Sequence, residues 1–320
     1  MNKFPLVTIG IPNYNYGRYI LETLDSVANQ TYQNIEVIIV DDFSTDNSCE
    51  VIENWIKNYK GKFHITFFKN QENLGVSKAC NIILKNAKGK YFQPLDADDI
   101  ILPGKIATQV TILNQSPETA MVYSNVSVIS SSGMITNPDY CNRINYDSNN
   151  MPSGKILNEL LVFNFISTPS VLINTKSARL IGGFDETLRL QDYYMWLKLS
   201  ENYEIKYLPE ITAWYRVHKP SMSNFSPTSC VLEESVMINK YRYFHQTSQD
   251  LKKVIAKNIE YSAVYLYQHK YPSAKKWLGI GFKLRPGIKS FLYCCSSRLG
   301  IPFSFFTRIK SLKGMIVSSR

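Results

Sequence analysis

The sequence lacks several patterns that would place it in common classes of protein. Its 320 residues contain no run of 18 or more apolar residues free of charge, so we expect no transmembrane span. We also expect no secretory signal, because the apolar run Leu6–Ile11 is short, follows only Lys3 and ends at Pro12. Neither a G-x-G-x-x-G nor a G-x-x-x-x-G-K-[ST] pattern follows the first predicted strand, which disfavours Rossmann dehydrogenases and P-loop NTPases.

Cysteine is sparse and gives no sign of a metal or disulfide framework. The six cysteines have neither metal-type spacing nor the clustering of a small secreted domain, so we expect reduced thiols in a cytosolic protein. Internal repeats and low-complexity segments do not occur. The hydrophobic share of 44% and the aromatic share of 13% are instead typical of a globular chain with a substantial core.

Positive charge is unevenly distributed along the chain. The formal net charge is +10, but residues 236–320 hold 16 Lys and Arg against two acids, which leaves 20 basic and 24 acidic residues in 1–235. A mildly acidic body with a strongly basic C-terminal segment indicates that this segment meets something anionic. Nucleic acid and the negative cytoplasmic face of a membrane are the two candidates.

The first hundred residues alternate between strand and helix patterns. Short β-branched runs read as buried strands, and apolar residues at helical spacing lie between them. The predicted strands of this part are Phe4–Pro12, Ile35–Val40, Ile65–Phe68 and the segment from Tyr91. A β-α-β-α-β-α-β order predicts an α/β fold with a right-handed, doubly wound and mostly parallel sheet.

The remainder divides into a completion of the sheet and a helical tail. Further strands are predicted at 120–128, 170–173, 205–208 and 211–216, with a long loop or hairpin insertion at 130–150. From about Thr228 the pattern becomes helical, with stretches near 232–244, 251–268, 274–282 and 303–315. We therefore expect a catalytic domain over 1–227 and a basic, mainly helical extension over 228–320.

Polar residues follow three of the predicted strands. Asn13 with Tyr14, Asp41 with Asp42, and Asp96 with Asp98 come at strand ends, which lie along one edge of such a sheet and can surround one ligand. If the backbone stays extended after Leu95, Asp96 and Asp98 point to one side. Two carboxylates on one side suit a divalent cation that also holds phosphates, although an ordinary acidic turn explains the same residues.

Helix signals and core positions lead to further expectations. Asp99 is predicted to cap the helix that begins near Lys105, and Ser44 or Thr45 the helix after the second strand. Asp192 lies in the first turn of a helix over 190–199, where a carboxylate also benefits from the helix dipole. Trp196 in the same helix is expected to pack in the core.

In order along the chain, these segments resemble the inverting glycosyltransferases of family 2, which have the GT-A fold. The matching segments cover about residues 4–223. They are Val7–Asn15 (V-S-V-I-I-P-x-Y-N in the family), Asp41–Asp46 (D-D-G-S-T-D), Asn73–Asn81 (N-x-G-x-x-x-A-R-N), Leu95–Asp99 (L-D-x-D-D), Gly182–Glu186 (G-G-F-D-E), Gln191–Leu199 (E-D-Y-D-L-W-L-R-L) and Tyr215–Ser223 (Y-R-x-H). The basic tail lies outside the resemblance.

The resemblance implies a role for each matching position. It implies that Asp41 contacts the nucleobase, beside the loop from Pro12 to Tyr14. For Asp96 it implies contact with the ribose or the metal, and for Asp98 coordination of Mg²⁺ or Mn²⁺ across the diphosphate. For His218 it implies contact with the metal or the diphosphate, and for Asp192 general-base catalysis. The chain departs from the family pattern at three positions. Cys80 replaces an arginine, for which Lys78 is expected to compensate, Gln191 replaces a glutamate, and Tyr194 replaces an acidic residue.

Together these observations predict an inverting, metal-dependent transferase. It would move a sugar from a UDP- or dTDP-linked donor to a hydroxyl of a glycan or lipid-linked acceptor in cell-surface polysaccharide synthesis. A sugar-nucleotide- or glycan-binding protein with weak turnover and a nucleotidyltransferase are the alternatives. Aromatic residues interleave with the basic residues of the tail, so we expect peripheral attachment to the inner face of the membrane rather than nucleic-acid binding.

Overall fold

The computed structural model describes residues 4–188, 191–218 and 226–306. The chain divides into two compact units, Met1–Ser221 and Met222–Arg320, here called the N-terminal and C-terminal units. The predicted assignment of catalysis to residues 1–227 stays a prediction.

The N-terminal unit opens with the predicted alternation of strands and helices. Its first elements are β1 (Val7–Asn13), α1 (Ile20–Ala28), β2 (Ile35–Asp41), α2 (Ser48–Asn58), β3 (His64–Lys69), α3 (Val76–Asn86) and β4 (Tyr91–Pro94). Every residue of β2 is buried, and β1 is buried but for one partly exposed residue. Strands covered on both faces need such continuous apolar runs, which is why the sequence identifies them.

The second half of this unit mixes strand directions. It comprises β5 (Ile100–Ile101), α4 (Lys105–Gln115), β6 (Thr119–Ile129), β7 (Ile135–Asn137), α5 (Tyr140–Arg143), α6 (Leu157–Val162), a 3₁₀ turn (Thr168–Ser170), β8 (Leu172–Asn174), α7 (Thr175–Leu180), α8 (Gln191–Asn202) and β9 (Glu204–Arg216). The sequence predicts two strands where β9 is continuous. The two residues 209–210 are left unpaired in a bulge opposite β6, so the proline at 209 does not end the strand.

The sheet follows the order β3-β2-β1-β4-β8-β6-β9-β5 in the described residues, with β7 paired to β6. Strands β3, β2, β1 and β4 are mutually parallel, and β6 and β9 are parallel to each other. Strand β8 is antiparallel to both β4 and β6, which makes β6 and β9 run in the same direction as β4. The carboxyl ends of β1, β2, β4 and β9 therefore share one edge of the sheet.

The core of the unit lies between the sheet and its helices. Ile9 and Ile11 of β1 are fully buried and belong to one apolar cluster with Leu24 and Val27 of α1. Burial of such side chains stabilises the fold by about 1.5–3 kcal/mol each. Trp196 of α8 has no exposed surface, which confirms the expectation that it packs in the core.

Two predicted helix caps are wrong. Ser44 donates its hydroxyl to Asp41 rather than capping α2, which begins at Ser48. The carboxylate of Asp99 accepts the backbone N–H of Arg216 and is fully buried, and Gly104 precedes α4 instead. Ser44 is engaged by Asp41, three residues before it, and Asp99 by Arg216, 117 residues after it, so neither side chain is available to cap its helix.

The C-terminal unit is helical, as predicted. Its elements are α9 (Ser226–Tyr243), a 3₁₀ turn (Phe244–Gln246), α10 (Gln249–Gln268), α11 (Ala274–Leu284) and α12 (Ile288–Arg298). Helix α12 was not predicted, and the predicted helix at 303–315 falls mostly outside the described residues. Among the helices described in either unit, none has the length and apolar character needed to cross a bilayer.

Candidate active site

Asp41 lies at the carboxyl end of β2, beside the end of β1. Its Oδ1 accepts the side-chain amide of Asn13 at 2.7 Å and the hydroxyl of Ser44 at 2.6 Å, and its Oδ2 accepts the backbone N–H of Ser44 at 2.9 Å. Burial alone would raise the pKa of Asp41, but the hydrogen bonds from Ser44 and Asn13 outweigh it and lower that pKa. The carboxylate is therefore held ionised at the edge where a nucleotide is expected.

The acidic segment after β4 forms a turn rather than an extended strand. The backbone N–H of Asp99 bonds the carbonyl of Asp96 at 3.1 Å, so the predicted alternation of Asp96 and Asp98 along an extended chain is wrong. Asp98 Oδ2 lies 2.9 Å from His218 Nε2, and both side chains are buried. Residues 120 positions apart are thus paired at the shared edge of the sheet.

The turn brings together buried carboxyl groups that disfavour one another's ionisation. Burial, followed by the charges of Asp98 and Asp192, raises the pKa of Asp96 to about 8. Burial and the charges of Asp98 and Asp96 raise the pKa of Asp99 well above its usual range, against the opposing effect of Arg216. Like charges in a buried site repel each other, so a cation bound here would be strongly favoured.

Arg216, the last residue of β9, fastens this turn. Its Nε donates to the Asp98 carbonyl at 2.7 Å, and its terminal nitrogens donate to Glu22 at 2.7 Å and to the Ser130 carbonyl at 3.3 Å. The guanidinium also lies 4.9 Å from the ring centroid of Tyr19. A guanidinium offers five donors in a rigid plane, so one side chain can join the turn to α1 and β6.

Two tyrosine rings pack against His218, beside the acidic turn. The Tyr19 ring lies 4.8 Å from the His218 ring, and the Tyr16 ring meets His218 edge-on at 5.9 Å. Burial and then the charges of Asp98, Asp96 and Asp99 raise the pKa of Tyr16, so its hydroxyl stays protonated at neutral pH. These rings fix the orientation of the imidazole beside Asp98.

Asp192 is placed by the first turn of α8. Its Oδ2 accepts the hydroxyl of Thr168 at 3.0 Å, and its Oδ1 accepts the backbone N–H of Tyr193 at 2.6 Å. Burial raises the pKa of Asp192, while these two hydrogen bonds oppose the rise. A carboxylate whose pKa is raised toward neutrality is a better proton acceptor near neutral pH.

The other predicted residues lie around these groups. Pro12, the residue before the last of β1, is partly buried, Tyr14 is exposed, and Lys78 projects from α3 with an exposed side chain. Cys80 of α3 is buried, and burial followed by the charges of Asp96 and Asp192 raises the pKa of its thiol. The position where the family carries an arginine is thus occupied by a neutral thiol next to the acids.

The structure brings the acidic residues into one electrostatic neighbourhood. Asp96 interacts with Asp98 on one side and with Asp192 on the other, and Cys80 interacts with both Asp96 and Asp192. Asp41 stands at the end of β2, separated from β4 by β1 alone. Asp41 and the acidic turn therefore lie along one edge of one sheet, and Asp192 of α8 is close enough to Asp96 to interact with it.

Sequence reasoning placed Asn13 at this edge of the sheet but assigned no orienting role to it, to Arg216 or to Thr168. Asn13 positions Asp41, Arg216 fastens the acidic turn, and Thr168 holds Asp192. Arg216 belongs to the quoted Y-R-x-H motif, which was the available signal for it. Nothing in the sequence around Thr168 distinguishes it from an ordinary turn residue.

Asp98 and His218 are the pair best suited to a divalent cation. In the described part of the chain no three His, Cys, Asp or Glu side chains are grouped as a complete metal site. Mg²⁺ commonly binds one or two protein carboxylates and takes its remaining ligands from substrate phosphates and water. The Asp98 carboxylate oxygen and the His218 imidazole nitrogen, with the carboxyl group of Asp96 close by, fit that pattern.

Comparison with known proteins supports a single family. The model of glycosyl transferase family 2 matches residues 8–164. An uncharacterized glycosyltransferase of Haemophilus influenzae is 30% identical over 266 residues, which cover 82% of this chain and 75% of that protein. One from Rickettsia felis is 37% identical over 218 residues, or 67% of this chain and 34% of that protein.

A further relative is the chondroitin synthase of Escherichia coli, 27% identical over 263 residues that cover 82% of this chain and 35% of the synthase. The chain spans between about a quarter and two-thirds of the length of the Rickettsia relatives it matches.

Solved structures show the fold. Staphylococcus aureus TarS 1–349 in complex with UDP-GlcNAc matches with a TM-score of 0.57 at 16% identity, covering 92% of each chain. The Pyrobaculum calidifontis mannosyltransferase PcManGT, in complex with GDP-Man and Mn²⁺, matches with a TM-score of 0.58 at 18% identity, covering 98% of this chain and 86% of that chain. The chain belongs to glycosyl transferase family 2 and has the GT-A fold of these sugar-transferring enzymes.

Proposed function

We propose that the protein is an inverting, metal-dependent glycosyltransferase. It transfers a sugar from a UDP- or dTDP-linked donor to a hydroxyl group of a glycan or lipid-linked acceptor, in the synthesis of a cell-surface polysaccharide. The observation that carries the proposal is the electrostatic interaction of Asp96 with both Asp98 and Asp192. This proximity supports a donor diphosphate bound beside Asp98 and an acceptor bound beside Asp192.

At the donor end, Asp41 accepts hydrogen bonds from the nucleobase. Its pKa is lowered, so it stays an acceptor throughout the physiological range. Uracil and thymine each present an N–H that such an acceptor can bind, so Asp41 is compatible with UDP- and dTDP-linked sugars. Pro12, near the end of β1, and Tyr14, directly after it, form the adjoining wall, and the exposed Lys78 is available to the diphosphate.

At the diphosphate, Asp98 and His218 would hold Mg²⁺ or Mn²⁺, and Asp96 would face the ribose or the same cation. A cation held there would supply neutralisation of the charge on the leaving diphosphate. The residues of the chain prepare this site by orientation. Arg216 fixes the acidic turn through the Asp98 carbonyl, and Tyr16 and Tyr19 fix the His218 ring.

At the acceptor end, Asp192 removes the proton from the attacking hydroxyl. The acceptor oxygen forms a bond to the anomeric carbon while the bond from that carbon to the diphosphate oxygen breaks. The proton passes to Asp192, and the nucleoside diphosphate leaves with the bonding electron pair. One displacement inverts the anomeric configuration, so a single base suffices and no covalent intermediate is needed.

The relatives support the substrate classes without fixing them. One aligned relative is named for chondroitin synthesis, and the two structural neighbours bind UDP-GlcNAc and GDP-Man, the latter with Mn²⁺. A polysaccharide-type acceptor and a sugar-nucleotide donor are consistent with those names.

We also propose that the basic C-terminal unit holds the protein peripherally on the inner, anionic face of the cell membrane. Residues 261–320 contain eleven basic residues and no acid. Each basic residue close to anionic lipid contributes about 1 kcal/mol to binding. Attachment of this kind would bring the enzyme to a lipid-linked acceptor.

The reaction is tested by release of nucleoside diphosphate from a panel of nucleotide sugars, with Mn²⁺ or with a chelator. We expect one donor to be turned over by the wild-type protein with Mn²⁺ only. Asp192→Asn should bind that donor with unchanged affinity and release nucleotide at least about a hundredfold more slowly.

Each result has a distinct meaning. Equal release by wild type and Asp192→Asn removes Asp192 from the mechanism. Tight donor binding without turnover by the wild type favours the alternative of a binding protein, for which the neutral Cys80 in place of an arginine is the structural argument.

A further inference from the structure

Helix α12 has an inverted distribution of side chains. Its buried residues are small and mostly polar: Ser290, Cys294, Ser296 and Ser297. Large apolar side chains point to solvent instead, with Ile288 82% exposed, Leu292 46% and Leu299, directly after the helix, 75%. A helix of a water-soluble surface normally shows the opposite arrangement.

The exposed apolar residues form one continuous stripe. Ile288, Leu292 and Leu299 are separated by four and seven residues, and Phe291, half exposed, adjoins them. At about 100° per residue these positions share one face of the helix. The stripe is therefore a property of the face and not a scatter of single exposed residues, which would need no explanation.

Cations border the stripe. Lys289 and Arg298 are exposed and, by the same helical periodicity, lie on opposite sides of it. Residues 261–320 contain no acid, and although Glu260 pairs with Arg285, this part of the sequence keeps a large net positive charge. An apolar stripe flanked by cations is the pattern of helices that lie in the interface of a membrane.

We infer that helix α12 inserts its Ile288–Leu292–Leu299 face into the surface of a bilayer containing anionic phospholipid, with Lys289 and Arg298 at the level of the headgroups. A second copy of the chain fits this face less well, because pairing would bring two cationic surfaces together. The inference rests on the membrane attachment proposed above and is independent of sugar transfer.

The test is co-sedimentation of the full chain with vesicles of phosphatidylcholine, with and without phosphatidylglycerol. The triple variant Ile288→Ser/Leu292→Ser/Leu299→Ser should lower the partition coefficient on the anionic vesicles by at least about tenfold. Tyr261→Ser, in α10, removes an equally exposed (75%) large side chain from another helix and serves as the control. It should leave partitioning unchanged.

A second variant separates charge from insertion. Lys289→Gln/Arg298→Gln should reduce binding by about fivefold for each cation removed, and only when phosphatidylglycerol is present. Unchanged thermal unfolding of all variants confirms that they are folded, as expected for substitutions of exposed residues.

Three results would overturn the inference. If wild type does not bind anionic vesicles, membrane attachment itself fails. If wild type and the triple variant bind equally, attachment survives but α12 is not the inserted element. If sedimentation velocity shows a dimer that the triple variant converts to a monomer, the stripe is an interface between copies.

Discussion

Asp192 depends on a neighbour that the mechanism does not otherwise use. Thr168 donates its hydroxyl to one carboxylate oxygen, while the backbone N–H of Tyr193 donates to the other. Both bonds favour the ionised form, in opposition to burial. The remaining groups that interact electrostatically with Asp192 are Asp96, Cys80 and Tyr140. Thr168 is thus a positioning residue that also sets the pH range of the proposed base.

We therefore predict that Thr168→Val moves the acidic limb of the kcat–pH profile to higher pH by about one unit. Loss of a hydrogen bond to a carboxylate removes about 1.5 kcal/mol from its charged form, and 1.36 kcal/mol corresponds to one pKa unit. The sign follows because the base must be deprotonated, so a higher pKa reduces activity at low pH. Thr168→Ser keeps the hydroxyl and should restore the wild-type profile.

The control for this prediction is Thr111→Val, which removes a hydroxyl bonded to a helix carbonyl on the exposed surface of α4. Its pH profile should match that of the wild type. If Thr168→Val lowers kcat equally at every pH, Thr168 acts on the architecture of the site and not on the pKa of Asp192.

The sequence predicted the proposed site residues more fully than the residues that orient them. Asp98 and His218 come from motifs with a recognisable order, and the structure pairs them. Arg216 and Thr168 act through contacts between segments far apart in the chain, which no local pattern encodes. Asp99 was predicted from local sequence to cap α4, but its carboxylate instead accepts the backbone N–H of the distant Arg216.

At the scale of elements, buried Lys105 joins three parts of the N-terminal unit. This first residue of α4 donates from Nζ to the Gln93 side chain in β4, to Gln109 Oε1 at 2.7 Å and to the Val171 carbonyl at 2.7 Å. Gln109 in turn donates to the carbonyl of Ser170, in the 3₁₀ turn that carries Thr168. Lys105 thus connects the strand before the acidic turn with the segment that holds the proposed base.

We predict that Lys105→Met lowers the free energy of unfolding by about 2–4 kcal/mol, because three buried acceptors lose their donor. The pH dependence gives a second readout. Burial lowers the pKa of Lys105, so the unfolded chain binds more protons and stability rises with pH toward the unfolded pKa. This rise should flatten in the variant, as measured by urea unfolding at pH values of about 7 and about 9.

The matched control is Lys57→Met, at an exposed position in the last turn of α2. We expect it to change stability by no more than about 0.5 kcal/mol. A similarly small effect of Lys105→Met would mean that the three acceptors find other partners and that Lys105 does not join these elements.

The positions of strands and helices were predicted correctly from hydrophobic periodicity where one continuous pattern corresponds to one element. Strands β1 and β2 are continuous apolar runs, and both were predicted. Strand β9 was divided at Pro209 because a bulge cannot be read from the proline alone. Helix α12 was missed because its small residues face inward, so its apolar residues do not mark the buried side.

At the scale of the whole molecule, the proposed site residues and the excess positive charge lie in different parts of the sequence. Residues 1–235 are mildly acidic and contain all the proposed site residues, whereas residues 236–320 carry a net charge of +14. The sheet edge with Asp41, Asp98 and Asp192 belongs to the N-terminal unit, and the stripe of α12 belongs to the C-terminal unit. The arrangement predicts that donor binding and membrane attachment are separable functions.

We predict that a chain ending at residue 227 still binds the donor nucleotide with Mn²⁺ but no longer sediments with anionic vesicles. All the proposed donor contacts lie in the retained residues. The dissociation constant measured by calorimetry should therefore change by less than about tenfold, which corresponds to about 1.4 kcal/mol of binding free energy. Loss of the eleven cations of residues 261–320, and of the α12 stripe, removes both contributions to lipid binding.

The full-length triple variant of α12 is the control for the truncated chain, since it keeps every residue outside the stripe. It should match the truncated chain in donor binding and approach it in loss of sedimentation. If truncation abolishes donor binding although the triple variant binds normally, the C-terminal unit contributes to the donor site or to the stability of the sheet. The predicted boundary at 227 would then divide one functional unit rather than two.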